Sequence, residues 1–213
     1  LIAYYNDRAD EYDKVYQNPL EQNDLSEATV LFQTLFSQKT VLEIACGTGY
    51  WTEQIAAVAT AVDATDISER MLDIARRRPV GENTTFAVAD MYNLPQGRTY
   101  DAIFGGFIWS HILLQDLDRL LDQLRNFLRP GGIIAFIDSN YVEGTNHDPK
   151  RITQTDEYDN TWQTRTLENG TTHLVLKNFP TERFLAQKLS RIATEVSFVK
   201  LGYYWVAVGH LTN

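Results

Sequence analysis

Cysteine is almost absent: Cys46 is the sole one in 213 residues. That excludes an intramolecular disulfide and a cysteine-rich metal site. Long apolar runs are missing too, and none approaches the roughly 20 residues that a membrane helix needs. Basic charge is scarce. Lys and Arg number 19 against 28 Asp and Glu, a net charge of −9. That balance argues against a general nucleic-acid binder, which needs a basic surface to displace counterions. It leaves room for a local basic patch. The start, "LIAYYNDRADEYDKVY", lacks the basic lead and apolar core of a secretory signal. A cytoplasmic location is expected. No initiator Met is present. No internal repeat or low-complexity segment is visible.

What is present is an alternation of strand and helix patterns. Residues 1–38 read as helices, with an aromatic face of Tyr4, Tyr5, Tyr12 and Tyr16 and an apolar face of Leu31, Leu35 and Phe36. "VLEIA" is a first strand and 50–58 a helix. "ATAVDAT" is a second strand, followed by a helix that Ser68 caps and that carries Met71, Leu72 and Ala75 at helical spacing. "TTFAVA" and "YDAIFGGF" are the third and fourth strands. Leucines at 113, 117, 120, 121, 124 and 128 mark a helix over 112–128, which "RPGG" should stop. "IIAFID" is a fifth strand. Alternation of this kind predicts a doubly wound parallel sheet covered on both faces.

Near the end, "VSFVK" and "YYWVAVGH" are separated by too few residues for anything but antiparallel pairing. They bring the expected sheet to seven strands. Between the fifth strand and this hairpin lies an insertion, 139–180. Its "QTRTLENGTTHLVLKNF" carries an Asn-Gly hairpin signal at 169–170. It reads as a β-hairpin lid over the C-terminal edge of the sheet, where open α/β sheets bind ligands.

The first strand ends in "ACGTG", residues 45–49. Small residues there let the backbone turn sharply and let a ligand approach closely. The dinucleotide pattern G-x-G-x-x-G is not met, because positions 45, 47 and 50 are Ala, Gly and Tyr. A ligand with an adenosine but no pyrophosphate suits the turn better. Glu43 adds a carboxylate beside it, which fits a cationic or amino-bearing ligand; a buried, internally paired Glu is the competing reading. Asp66, at the end of the second strand, stands where an acidic residue meets ribose hydroxyls, or where it favours a helix N-terminus. Asp63 reads as surface or sheet edge. Asp90 can accept from an exocyclic amine and Met91 can pack on a ring face, although Asp90 also suits a simple turn.

Together "VLEIACGTGYW", "AVDATDISERML", "FAVADMYNLP" and "YDAIFGGF…LRPGGIIAFID" resemble, in order over about 38–138, the motifs of the class I S-adenosylmethionine-dependent methyltransferases. The resemblance implies a Rossmann-like methyltransferase fold in a single domain. It would comprise a helical lid (1–38), a cofactor-binding core (39–138), an inserted cover (139–180) and a terminal helix and hairpin (181–213). It implies S-adenosylmethionine as cofactor and S-adenosylhomocysteine as product. It assigns Glu43 and Gly47 to the methionine end, Asp66 to the ribose, and Asp90 with Met91 to the adenine. It adds Ala45, Met71 and Phe107 to the cofactor-binding set. Ala45 departs from the usual first glycine but is small. "YYNDRADEYD" resembles the lid helix of small-molecule members, which places Tyr5 and Arg8 near the cofactor.

Methyl transfer from a sulfonium needs no metal or redox group, and catalysis can come largely from alignment. The Asn/Asp-Pro-Pro-aromatic signature of amine-modifying nucleic-acid enzymes is missing after the fourth strand. So is the metal-binding Asp of catechol-type enzymes, although Asp138 and Asn140 follow the fifth. The expectation is an enzyme that methylates an oxygen or nitrogen of a small molecule. No nucleic acid, membrane or metal is expected as partner, and the chain is expected to be a monomer or homodimer. A non-catalytic cofactor-binding protein and a nicotinamide-dependent oxidoreductase are the alternatives. His111 follows the fourth strand, where an imidazole titrating near neutrality could act as general base, cap a helix or hydrogen-bond a ligand. Trp162, Phe179 and Trp205 read as core or pocket lining. Arg165 reads as solvated or as facing a carboxylate, and His147 and His173 as surface.

Overall fold

The structure is a computed structural model and describes residues 2–144 and 148–211. Position 147, expected at the surface, lies outside the described residues.

The chain opens with α1 (Ile2–Arg8), a 3-10 segment (Ala9–Gln17) and α2 (Gln22–Phe36). The alternating core follows as β1 (Thr40–Ile44), α3 (Tyr50–Ala56), β2 (Ala61–Asp66), α4 (Glu69–Ala75), β3 (Thr84–Val88), β4 (Tyr100–Gly106), α5 (Leu117–Arg125) and β5 (Leu128–Ser139). An insertion supplies β6 (Ile152–Thr155), β7 (Thr161–Thr166) and β8 (Thr172–Leu176). The described chain closes with α6 (Glu182–Leu189), β9 (Glu195–Lys200) and β10 (Tyr204–His210).

Seven strands form one sheet in the order β3-β2-β1-β4-β5-β10-β9. Strands β1 to β5 are parallel, and β10 runs antiparallel to both β5 and β9. This is the doubly wound sheet with a C-terminal antiparallel hairpin that the alternation predicts. The inserted hairpin is larger than expected: β6 joins β7 and β8 in a three-stranded antiparallel sheet. Gly170 turns the hairpin at φ +84°, the left-handed value that a tight Asn-Gly turn requires.

Strand periodicity sorts the core into two layers. Val41, Ala102, Phe104, Ile133, Ala135 and Val206 face α2 and α3. Leu42, Ile44, Ile103, Ile134 and Phe136 face α5 and α6. On α5, Leu117, Leu120, Leu121 and Leu124 are at most 1% exposed, each contributing about 1.5–3 kcal/mol by burial. The buried face of α2 is Leu25, Ala28, Phe32 and Phe36. Leu31 and Leu35 lie at its half-buried edge, because the i, i+3, i+4, i+7 stripe runs one position away from them.

Helix α5 is shorter than its leucines suggest. Trp109–His111 is a separate 3-10 turn, and Leu128 already pairs with Tyr100 as the first residue of β5. The "RPGG" segment therefore lies inside the strand, where the register shifts between Tyr100 and Ala102. Gly132 fits there because a Cβ would come within 2.8 Å of the Arg129 carbonyl.

Candidate active site

Strand order reverses at β1, with β2 on one side and β4 on the other. Open α/β sheets bind ligands in the crevice at such a switch point. The turn after β1 fills it. Ala45, Gly47 and Gly49 have φ of +50°, +57° and +78°, so three residues of one turn are left-handed. Ala45 is the one with a Cβ, which costs about 1 kcal/mol there.

Asp66 holds the turn in place. Its Oδ2 accepts from the Gly47 N–H at 2.9 Å and its Oδ1 from the Ser68 N–H at 2.8 Å. Ser68 caps α4 by accepting from the Met71 N–H at 3.1 Å. Met71 is buried, with its Cε 3.4 Å from where a Gly47 Cβ would stand. Glu43 is 1% exposed and points toward α3, where Thr52 donates to its Oε2 at 2.6 Å. Burial raises its carboxyl pKa to about 8. Asp66 is raised as well, by burial, against its backbone hydrogen bonds. Two buried carboxyl groups thus stand behind a backbone-lined turn: Glu43 holds its proton at neutral pH, and Asp66 is engaged by backbone N–H groups. Asp63 pairs away from this turn, with Arg98 and the Tyr100 hydroxyl.

Asp90 and Met91 follow β3. Asp90 is exposed and accepts from the Tyr92 N–H at 2.9 Å, the turn role that competed with adenine binding. Met91 is half-buried against the α5 layer.

A second group of expected residues meets around a small cavity of ≈ 40 Å³ lined by Tyr5, Arg8, Phe107 and His111. Phe107 adopts φ +57°, and its ring lies 5.1 Å from that of Tyr204. Gly106 precedes it because a Cβ there would stand 2.5 Å from Trp51 Cδ1. The His111 tautomer follows from its partners. Nδ1 lies 2.5 Å from the Leu176 carbonyl, which can only accept, so Nδ1 carries the proton. Nε2 is then the acceptor for the Tyr5 hydroxyl at 2.7 Å. Burial, reinforced by the Lys177 charge, pushes the imidazole well below its ordinary pKa. His111 is therefore neutral, not a group titrating near pH 7.

Tyr5 and Arg8 line the His111 cavity together with Tyr12, which also lies 3.9 Å from the Gly47 Cβ position. Asp13 accepts from Thr48 Oγ1 at 2.5 Å and from Arg78 Nη2 at 2.7 Å. Arg78 also donates to the Thr48 carbonyl and to Glu53. Further ion pairs join Arg70 to Asp10 and Lys14 to Glu168, and His173 Nε2 lies 3.3 Å from Asp7 Oδ2. His173 is thus a half-buried lid contact.

A buried polar cluster went unforeseen. Lys177 Nζ donates to Asp138 Oδ1 at 3.0 Å and to Ser110 Oγ at 2.8 Å. Asp138 also accepts from the Ser110 and Ser139 N–H groups. Lys177 and Arg165 both line the His111 cavity, so Arg165 is not a merely solvated charge. Trp162, Phe179 and Trp205 are not among the lining residues of that cavity. The latter two border a separate one of ≈ 640 Å³ near β9.

A parallel sheet, a left-handed glycine turn at its switch point and paired carboxylates define the methyltransferase variant of the Rossmann-like fold. Residues 41–132 match the family model described as a methyltransferase domain. The chain superposes on the DhpI–SAH complex structure with a TM-score of 0.81 at 24% identity, covering 99% of this chain and 95% of that one. For the DhpI–SAM–HEP complex the TM-score is 0.77 at 25% identity, covering 97% and 94%. A malonyl-[acyl-carrier protein] O-methyltransferase from Bacillus cereus is 35% identical over 100 residues, 45% of this chain. That match spans 36% of the relative's length. Over this core the chain is similar to the class I S-adenosylmethionine-dependent methyltransferases, and it shares their fold. Among the described residues, no helix is long and apolar enough to cross a membrane.

Proposed function

We propose that the chain is an S-adenosylmethionine-dependent methyltransferase acting on a small-molecule acceptor. One observation carries the reading: the glycine turn at the switch point is held open-backboned by Asp66, with the buried Glu43 carboxyl beside it. The residues fit the cofactor. Gly47 leaves backbone accessible, and the carboxylates match an ammonium and ribose hydroxyls. When bound, S-adenosylmethionine supplies an electrophilic methyl group on a sulfonium.

Glu43, Ala45 and Gly47 hold the methionine end in this reading. Asp66 takes the ribose, Met71 packs under the turn, and Asp90 with Met91 flanks the adenine. Phe107, Tyr5 and Arg8 separate this pocket from solvent. His111 Nε2 is occupied by the Tyr5 hydroxyl; when Tyr5 shifts, this neutral lone pair is freed to orient a donor group of the acceptor or to take a proton from a hydroxyl. Aromatic walls suit a ligand bearing positive charge. Tyr12 and Tyr5 shift for ligand entry, since the closed cavity is only ≈ 40 Å³.

Isothermal titration tests this reading. S-adenosylhomocysteine should bind and NAD should not, and Asp66→Ala should weaken binding by about 1–3 kcal/mol. Turnover of methyl-labelled cofactor against a metabolite panel then separates catalysis from binding. Tight NAD binding with no response to S-adenosylhomocysteine would reverse the assignment.

A further inference from the structure

Two guanidinium groups from distant parts of the chain converge on one wall of the His111 cavity. Arg8 closes α1 and Arg165 sits in β7, yet each donates through Nη1 to the Tyr4 hydroxyl, at 3.0 and 3.4 Å. Arg165 Nη2 also donates to Gln163 Oε1 at 3.0 Å, and Arg8 lies over the Tyr12 ring. Lys177 lines the same cavity from the end of β8.

The charge balance is uneven. Asp138 matches Lys177. Among the described residues, Arg8 and Arg165 meet neutral groups in their hydrogen bonds, a phenol shared between them and one amide, while Glu11 and the Lys14-paired Glu168 border the outer cavity they share. Both are half-buried. Burial lowers the Lys177 pKa, and Arg165 and Arg8 lower it further against the pull of Asp138. Gathering like charges away from water is unfavourable unless something negative completes the site. A guanidinium fork is the group best shaped to receive a carboxylate or a phosphorus oxyanion.

The same two arginines also border an outer cavity of ≈ 250 Å³. They form the shared wall between that cavity and the small one at His111. A ligand lying in the outer cavity would present its end to the inner one across that wall.

We propose that Arg8 and Arg165 form an oxyanion-recognition site, and that the methyl acceptor is a carboxylate or phosphorus oxyacid modified at oxygen. This rests on the methyltransferase reading above. The chemistry balances without a base. An oxygen lone pair of the anion forms the new O–CH₃ bond while the electron pair of the breaking C–S bond returns to sulfur. No proton leaves the acceptor, so a neutral His111 has none to take. The ester carries one negative charge fewer than the acid, which loosens the hold of the arginines on the product. A cationic amine would instead be repelled by this wall.

Calorimetry and thermal-shift measurements on the full chain, with and without S-adenosylhomocysteine, test the site at constant ionic strength. The probes are acetate, methylphosphonate and methyl phosphate, with acetamide and methylamine as neutral and cationic controls. Oxyanions should bind and the controls should not; the stronger of the carboxylate and phosphorus arms identifies the source. Arg165→Met should weaken oxyanion binding at least tenfold while S-adenosylhomocysteine affinity stays within twofold. Arg165→Lys should recover part of the loss, and Arg8→Gln should weaken the same probes if the first variant folds poorly. Oxyanions binding no better than acetamide, or equally well in Arg165→Met, would overturn the proposal. If the cofactor product binds but no oxyanion does, the acceptor class falls and the methyltransferase reading stands. If oxyanions bind but the cofactor product does not, the reading falls and the anion site remains.

Discussion

Tyr5 donates its hydroxyl proton to Nε2 of His111 across 2.7 Å, tying the first helix to the turn after β4. Burial keeps the phenol protonated well above its ordinary range, while burial and Lys177 keep the imidazole neutral. The bond is therefore neutral on both sides through the physiological range. A lowered imidazole pKa means that no histidine limb appears between pH 6 and 7 in the turnover profile. His111→Gln should leave the shape of that profile unchanged over pH 6–8. A limb near 6.5 in the parent that vanishes in His111→Gln would contradict the assigned tautomer and environment.

Glu43 sets a second pH dependence. Its folded pKa is about 8 against an ordinary 4.5. Between those values the folded state holds more protons than the unfolded state, so stability falls as pH rises through that window. It is lowest once both forms are ionised, above about 8. A ligand ammonium that ionises Glu43 must expel this proton, so cofactor affinity should rise with pH up to about 8. Calorimetry of S-adenosylhomocysteine at pH 7 in buffers of different ionisation enthalpy should show proton release. Release that persists undiminished in Glu43→Gln would assign the proton to another group.

Ala45 occupies a left-handed position beside two glycines. Replacing it by Gly removes the steric cost of the Cβ but adds freedom to the unfolded chain. The first effect is the larger. Ala45→Gly should stabilise the protein by up to about 1 kcal/mol, a shift of roughly 2–4 °C in Tm for a chain of this size. A lowered Tm with unchanged cofactor binding would show that the turn is not strained at this residue.

Lys177 and Asp138 are 4% and 0% exposed at their side chains. Removing one partner leaves a buried charge unmatched, at a cost of about 3–5 kcal/mol. Lys177→Met should therefore be severely destabilising. Lys177→Met combined with Asp138→Asn should lose less than the two single changes added together. Denaturant titration of the four chains measures the coupling, and strict additivity would mean that the pair is not energetically linked.

The glycine turn and its supports were legible in the sequence because their information is local. The turn at 45–49, Asp66 and the Ser68 cap each lie within a few residues of the strand end that places them. The His111 cavity is assembled from afar. Tyr5 meets His111, and Lys177 reaches Asp138, through the packing of the inserted sheet and the lid. No spacing rule encodes such contacts. Tyr12 was visible only as one of several tyrosines on a face, and which of them covers Gly47 depends on the 3-10 winding of Ala9–Gln17. The leucine spacing that extended α5 to 128 mixed two roles: four leucines pack the helix, while Leu128 already belongs to a strand.

The first 17 residues are held by buried aromatic packing, with Tyr4 against Leu167 and Val175 and Tyr16 stacked on Tyr50 at 3.9 Å, and by ion pairs at the rim. Arg78–Asp13, Arg70–Asp10 and Lys14–Glu168 all bridge the first 17 residues to the rest of the molecule, and most of these side chains are well exposed. Exposed pairs are screened at ordinary ionic strength. Salt should therefore weaken the ionic rim of this segment and leave its aromatic contacts in place, so that concentrated electrolyte loosens the edge of the first 17 residues before their centre.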